Sequence, residues 1–88
     1  MLNTLENLFK LARERKNNPV DGSYTNKLLS DKSLSKDKVL EEINELNEAV
    51  EKNSNKIHEA ADVFYHLIIY LEANEIKIEN VMEELNNR

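Results

Sequence analysis

Two acidic pairs at helical spacing carry most of the chemistry this chain could perform. In KVLEEINELNEAV four glutamates fall within eight positions, Glu41, Glu42, Glu45 and Glu48. In HEAADVFYHL, Glu59 and Asp62 interrupt an otherwise apolar run. Glu42 and Glu45, and likewise Glu59 and Asp62, are spaced i, i+3, which puts both members of a pair on one side of a helix. A buried carboxylate is costly unless it is paired or bound to a metal. Lys38 and His66 are too few to neutralise four acids. A hard divalent cation would do so, and Mg²⁺ suits carboxylates that leave room for water and phosphate oxygens.

The angular positions separate these acids. At ~100° per residue, with Val39 as zero, an apolar stripe of Val39, Ile43, Leu46 and Val50 spans roughly −20° to +40°. Glu42 and Glu45 flank that stripe at ~300° and ~240°, whereas Glu41 and Glu48 point toward solvent at ~200° and ~180°. On the next helix, Ile57, Ala60, Ala61, Phe64, Leu67, Ile68 and Leu71 form the expected core face. Glu59, Asp62 and His66 lie opposite, bordered by Val63, Tyr65, Ile69 and Tyr70. A helix apolar nearly all round is covered on more than one side, so a second subunit is expected against it. Taken alone, Glu42 and Glu45 read as salt-bridged surface and His66 as a hydrogen-bonded structural histidine. Tyr65 and Tyr70 read as core or interface, and Arg13, Arg15 and Lys16 as helix-end charges. The acids inside the apolar run are the residues that such a reading leaves unexplained.

These residues must be held by helices. The chain has 88 residues with one glycine, one proline and no cysteine or tryptophan, a composition that favours helices over a sheet. We expect one all-α domain over residues 1–88, with four to five helices in an antiparallel bundle completed by homodimerisation. The first helix spans 2–17 on the spacing of Leu2, Leu5, Leu8, Phe9 and Ala12. NNPVDGSYTNK then breaks the pattern, with a turn at Asp21-Gly22 and Thr25 expected to cap a short helix through Leu28 and Leu29. Ser33 or Ser35 is expected to start a long helix to about Lys52. Asn53–Asn55 connects to a helix ending near Glu72, with Ser54 or Asn55 as its cap and Asn74 as a left-handed C-cap. Ile78, Val81, Met82 and Leu85 define the last helix.

The net charge of −5 argues against sequence-independent nucleic-acid binding, which relies on basic surface. Without cysteine there are no disulfides or thiolate metal sites. No apolar run reaches ~18 residues, and the N-terminus lacks the order of a signal peptide. A cytoplasmic, soluble protein without membrane contact is expected.

Glu41-Glu42-x-x-Glu45, then Glu59-x-x-Asp62 after thirteen residues, resembles the EExxE…ExxD signature of the all-α, MazG-like nucleoside triphosphate pyrophosphohydrolases. Within that superfamily RKNNPVDGSYTNKLL is similar to a segment of the phosphoribosyl-ATP pyrophosphatases, as are KVLEEINE and ADVFYHLIIYL, in order and spacing from about Leu5 to Leu85. GSYT together with DVFYH is the specific part of the likeness. Two positions depart from it: Leu40 stands where the family has a glycine, and Asn74-Glu75 where a glycine often follows the third long helix.

The resemblance implies Mg²⁺-dependent hydrolysis of phosphoribosyl-ATP to phosphoribosyl-AMP and pyrophosphate, in histidine biosynthesis, by a homodimer. Glu42, Glu45, Glu59 and Asp62 would be the metal ligands. Glu41, the first motif glutamate, would orient water or sit against the partner subunit. Arg15, Lys16, Lys27 and Lys38 would contact phosphates, Ser23, Tyr24 and Thr25 would hold substrate, and Tyr65 and His66 would position water or substrate. The cyclohydrolase activity sometimes fused to this family is expected to reside elsewhere. Two other functions fit the same residues. One is a pyrophosphohydrolase for (deoxy)nucleoside triphosphates in pool sanitation; the other is a noncatalytic helical dimerisation module.

Overall fold

The computed structural model describes residues 3–88 and is built from five helices: α1 (Asn3–Asn17), α2 (Tyr24–Ser30), α3 (Lys32–Lys52), α4 (Lys56–Ala73) and α5 (Ile78–Asn86). Leu2, assigned to the inner face of the first helix, lies outside the described residues. The two long helices α3 and α4 form the main interface, joined by a connector so short that α4 must fold back along α3.

The core sits where α1, α2 and α4 meet. Ala12, Leu28, Leu29, Ile69 and Ala73 are buried there, with Leu34 and Tyr65 packed against them. Alanines at positions 12 and 73 keep the facing surfaces of α1 and α4 small, so the helices can approach closely. Arg13 fastens α5 to this core by a bidentate pair with Glu79, at 2.8 and 2.9 Å, and its Nε lies 3.7 Å from Glu72. That hydrogen bonding holds the Glu79 carboxyl down to about 2. No residue of α5 is fully buried; half-buried Ile78 and Val81 pack inward, and the exposed ion pair adds to that.

Helix starts and stops differ from the sequence expectation in instructive ways. Ser23, not Thr25, is the N-cap of α2, its Oγ accepting from the Asn26 amide. Thr25 lies inside the helix and is buried. Asp31, not Ser33 or Ser35, caps α3 by accepting from the Leu34 amide at 3.0 Å. A single residue joins α2 to α3, and a carboxylate there meets the free amides of the new helix. Asn53 ends α3 in the left-handed conformation. Asn55 occupies the cap position of α4 without a side-chain bond. After α4 the left-handed residue is Glu75 (φ 59°), while Asn74 stays at φ −99°.

The largest correction concerns which faces turn inward. On α3 the buried residues are Ser35, Val39, Glu42 and Ala49, whereas Ile43 and Val50 are exposed. The inner face is thus rotated by roughly 50° toward Glu42 from the apolar stripe. On α4 the expected core face is largely the outer one: Ile57 is 88% exposed and Phe64 57%, and Ala61 and Leu67 also face out. Of that expected face, Ile68 is buried, and the other buried residues of α4 are His66, Ile69 and Ala73. An almost uniformly apolar helix gives periodicity no contrast to work on. Its inward polar residues, His66 and Tyr65, instead meet Tyr24 and Thr25 of α2.

Leu28 is fully buried at the meeting point of α1, α2 and α4. Leu28→Ala should cost about 3 kcal/mol, a large part of the ~5–15 kcal/mol that folded domains possess. Urea denaturation measures this directly, and an unchanged midpoint would refute the placement of the core.

Candidate active site

The i, i+3 spacing on α3 and α4, with the two helices packed side by side, brings the four acids to one place. Glu42, Glu45 and Glu59 each offer an oxygen within 4.8 Å of the others, and His58, Glu59 and Asp62 form a second such group that shares Glu59. Glu42 is only 9% exposed, and the other three are half-buried. Glu42 Oε2 and Glu59 Oε2 are buried atoms without a hydrogen-bond partner. Among the described residues no lysine or arginine pairs with these four acids; His58 Nε2 lies 3.3 Å from Asp62 Oδ2.

The electrostatic consequence follows from crowding. Burial, then a hydrogen bond and repulsion from Glu45, push the Glu42 carboxyl above the ordinary glutamate range, with His66 opposing. Glu59 is pushed the same way by desolvation and by Glu45, with His58 opposing. Acids that share one site resist ionising together. Oxygen donors that converge, lack protein counter-charges and leave buried lone pairs unbonded form a donor set that suits a hard divalent cation.

Beside the acids lies a polar chain that reaches α2. His66 Nδ1 is 2.8 Å from the Asp62 carbonyl oxygen, and its Nε2 is 3.0 Å from Tyr24 Oη. A carbonyl only accepts, so Nδ1 carries a hydrogen, and in the neutral ring Nε2 is then the acceptor for the tyrosine hydroxyl. Both Tyr24 and Tyr65 meet His66 edge-on, at ring separations of 5.9 and 5.0 Å. Tyr65 in turn shares a hydrogen bond with Thr25. Burial raises the Tyr24 hydroxyl above its ordinary value, with Lys38 opposing.

Tyr24 also lines a cavity of about 550 Å³ between the loop after α1 and α2, together with Lys16, Ser23 and Lys27. The loop is pinned from within. Gly22 adopts φ +78°, a conformation that costs a side-chain-bearing residue. Asn26 donates to the Arg15 carbonyl at 2.6 Å and accepts from the Val20 amide at 2.9 Å.

The structure therefore gathers Glu42, Glu45, Glu59, Asp62, His66, Tyr65, Tyr24 and Thr25 into one neighbourhood. Ser23, Lys16 and Lys27 meet around the adjoining cavity. Arg15 stands behind it, donating to Ser23 Oγ at 3.0 Å. Lys16 also donates to the Glu72 carbonyl at 2.9 Å, which ties the end of α1 to the end of α4. Glu41 is the acid left apart: it is exposed and paired with Lys38 at 3.2 Å. Sequence reading missed His58, Asn26 and the fully buried, unpartnered hydroxyl of Ser35. His58 was findable, since it lies i, i+4 from Asp62. Nothing local to Asn26 announces its two long-range bonds.

The raised carboxyls fix the sign of a pH effect. Glu42 and Glu59 hold protons more tightly in the folded chain than in the unfolded one. These two carboxyls therefore add stability to the cation-free protein as pH falls from neutrality toward the unfolded glutamate value of about 4.3, and that contribution is lost as pH rises through the folded values. Glu42→Gln should raise the cation-free melting temperature at neutral pH. It should also flatten the pH dependence. Circular dichroism melts read both, and a lowered melting temperature would show that charge is not what strains this site.

The phosphoribosyl-ATP pyrophosphohydrolase family model matches residues 3–88. The chain is 39% identical over 90 residues to a phosphoribosyl-ATP pyrophosphatase of Clostridium acetobutylicum, covering 96% of this chain and 79% of that protein. It is 40% identical over 93 residues to the protein of the same name from Bacillus cereus strain AH187, covering all of this chain and 85% of the relative. It is also 37% identical over 92 residues to the histidine biosynthesis bifunctional protein HisIE of Pyrococcus furiosus, covering 99% of this chain but 42% of that longer protein. Matched from one end of its helical fold to the other, the chain belongs to the phosphoribosyl-ATP pyrophosphohydrolase family.

Proposed function

We propose that this protein hydrolyses phosphoribosyl-ATP to phosphoribosyl-AMP and pyrophosphate, the second step of histidine biosynthesis, with Mg²⁺ held by Glu42, Glu45, Glu59 and Asp62. The observation that carries this reading is the convergence of buried, unpartnered carboxylate oxygens on α3 and α4, in a chain whose family match runs through that site.

When bound, the cation would neutralise polyphosphate charge and acidify a nearby water. The rest falls to the protein's own groups. Lys16 and Lys27 offer positive charge at the cavity wall, and Ser23 offers a hydroxyl beside them. The phosphate chain would lie from this cavity toward the acids, with Lys38 and Arg15 adding positive charge along its flank. Water attacks the phosphorus at the scissile anhydride, its proton passes to a carboxylate of the cluster, and the bond to the departing pyrophosphate breaks. His66, oriented by the Asp62 carbonyl and by Tyr24, holds the adjoining wall with Tyr65 and Thr25. Glu41, exposed on the same helix, stands where substrate or a second subunit could engage it.

The reading also assigns a homodimer. Ile43 and Val50 on α3 and Ile57, Phe64 and Leu67 on α4 are all exposed, an apolar surface that soluble monomers seldom display. No described helix is long and apolar enough to cross a membrane, so this face fits a second copy. A soluble nucleotide substrate fits a cytoplasmic location.

Pyrophosphate release with Mg²⁺, comparing phosphoribosyl-ATP with a panel of NTPs and dNTPs, tests the assignment. Phosphoribosyl-ATP should be strongly preferred, and Glu59→Gln should lower kcat/KM by more than about 100-fold. Preference for a dNTP would keep the acidic site and move the protein to pool sanitation. Release by no substrate would leave a noncatalytic helical module. For the assembly, Phe64→Glu should convert a dimer to a monomer in sedimentation equilibrium; an unchanged mass would move the interface elsewhere.

A further inference from the structure

His58 has no part in the acidic signature, yet it stands closest to it. Its Nε2 is 3.3 Å from Asp62 Oδ2, and its ring nitrogen, a Glu59 oxygen and an Asp62 oxygen all lie within 4.8 Å of one another. His58 and Asp62 are four residues apart on α4, hence on one face of the helix, a spacing that helical metal-binding pairs use. Two adjacent ligands on one cation, each bonded at ~2.0–2.2 Å, sit about 3 Å apart. The observed separation lies within a few tenths of an ångström of that.

Two further observations point to a ligand here. On the inner side, Glu42 is nine-tenths buried, yet its Oε2 has no hydrogen-bond partner, and an oxygen of its carboxylate converges on Glu59. On the outer side, the His58 side chain is 72% exposed and that of Asp62 36%, so ions and water reach this end freely. Glu59 belongs to both groups and links them.

We propose that His58 is a nitrogen ligand of the cation held by this cluster, binding through Nε2 beside Glu59 and Asp62, and that it biases the site from Mg²⁺ toward Mn²⁺ and Co²⁺. The proposal rests on the carboxylate reading given above. Carboxylate and water oxygens alone suit Mg²⁺, whereas an imidazole adds a softer donor whose advantage grows along the first-row transition ions. An exposed helix ion pair between His58 and Asp62 would produce no such selectivity.

The test uses the full chain with Mn²⁺ alone as the probe. Pulsed electron paramagnetic resonance of bound Mn²⁺ should show ¹⁴N modulation from a directly bonded imidazole, and His58→Gln should abolish it. In calorimetric titrations the same substitution should lower the Co²⁺-over-Mg²⁺ affinity ratio by about tenfold, mainly by weakening Co²⁺. Bound Mn²⁺ without nitrogen modulation, or modulation that survives His58→Gln, would overturn the role of His58 while leaving the carboxylate site standing. Failure of wild-type protein to bind Mn²⁺ at all would overturn both readings.

Discussion

Repulsion among carboxylates that the fold holds together is the interaction on which most of this structure turns. A helical chain of this size could send its acids to solvent, as it does with Glu41 and Glu48. Instead α3 and α4 pack with Glu42, Glu45, Glu59 and Asp62 between them, and the protein supplies no lysine or arginine to offset them among the described residues. Acids in such a place keep their protons longer than free ones, which is a destabilising contribution at neutral pH. The fold tolerates it because apolar burial around Leu28 and Ile69 offsets it. One end of the molecule supplies stability, and the seam is left to hold charge.

That seam also determines how α4 is rotated. Ile57, Phe64 and Leu67 would gain from burial against α3, yet they face outward. What faces inward is a face that can be satisfied only by particular neighbours: His66 by Tyr24 and the Asp62 carbonyl, and Tyr65 by Thr25. An unpaired buried donor costs more than an exposed leucine does. The matched polar contacts therefore set the rotation, and the apolar face remains for another surface to cover. The short α2, anchored by Leu28 and Leu29 in the core, brings Tyr24 and Thr25 to α4 while its own cap, Ser23, stays at the cavity wall.

This explains what could be read from the residues and what could not. The five helices, the Asp21-Gly22 turn and the acid pairs are local features, written in spacing and in turn chemistry. That α4 is apolar nearly all round was equally legible. Which of its faces belongs to the chain's own core was not legible. That depends on Tyr24 and Thr25, some forty residues distant from their partners, and hydropathy carries no record of such pairs. The caps show the same limit on a smaller scale. Ser23 and Thr25 are equally good caps by type, and only the path of the loop, fixed by Asn26, selects between them.

The departures from the family pattern can be weighed in the same terms. Leu40 replaces a glycine next to the acidic pair, yet it is 55% exposed on a continuous helix. No left-handed backbone is required of it, so the side chain adds bulk outside the seam rather than strain inside it. After α4 the positive φ that a glycine would take easily is carried by Glu75. Its carboxylate then lies 3.9 Å from Lys16, while Lys16 also caps the Glu72 carbonyl. A conformational cost at one residue is offset by two polar ties to α1. Those ties hold the cavity side of α1 against the end of α4, so a lysine that faces the cavity is also part of the structure that keeps the cavity open. Substituting Lys16 would therefore disturb both at once.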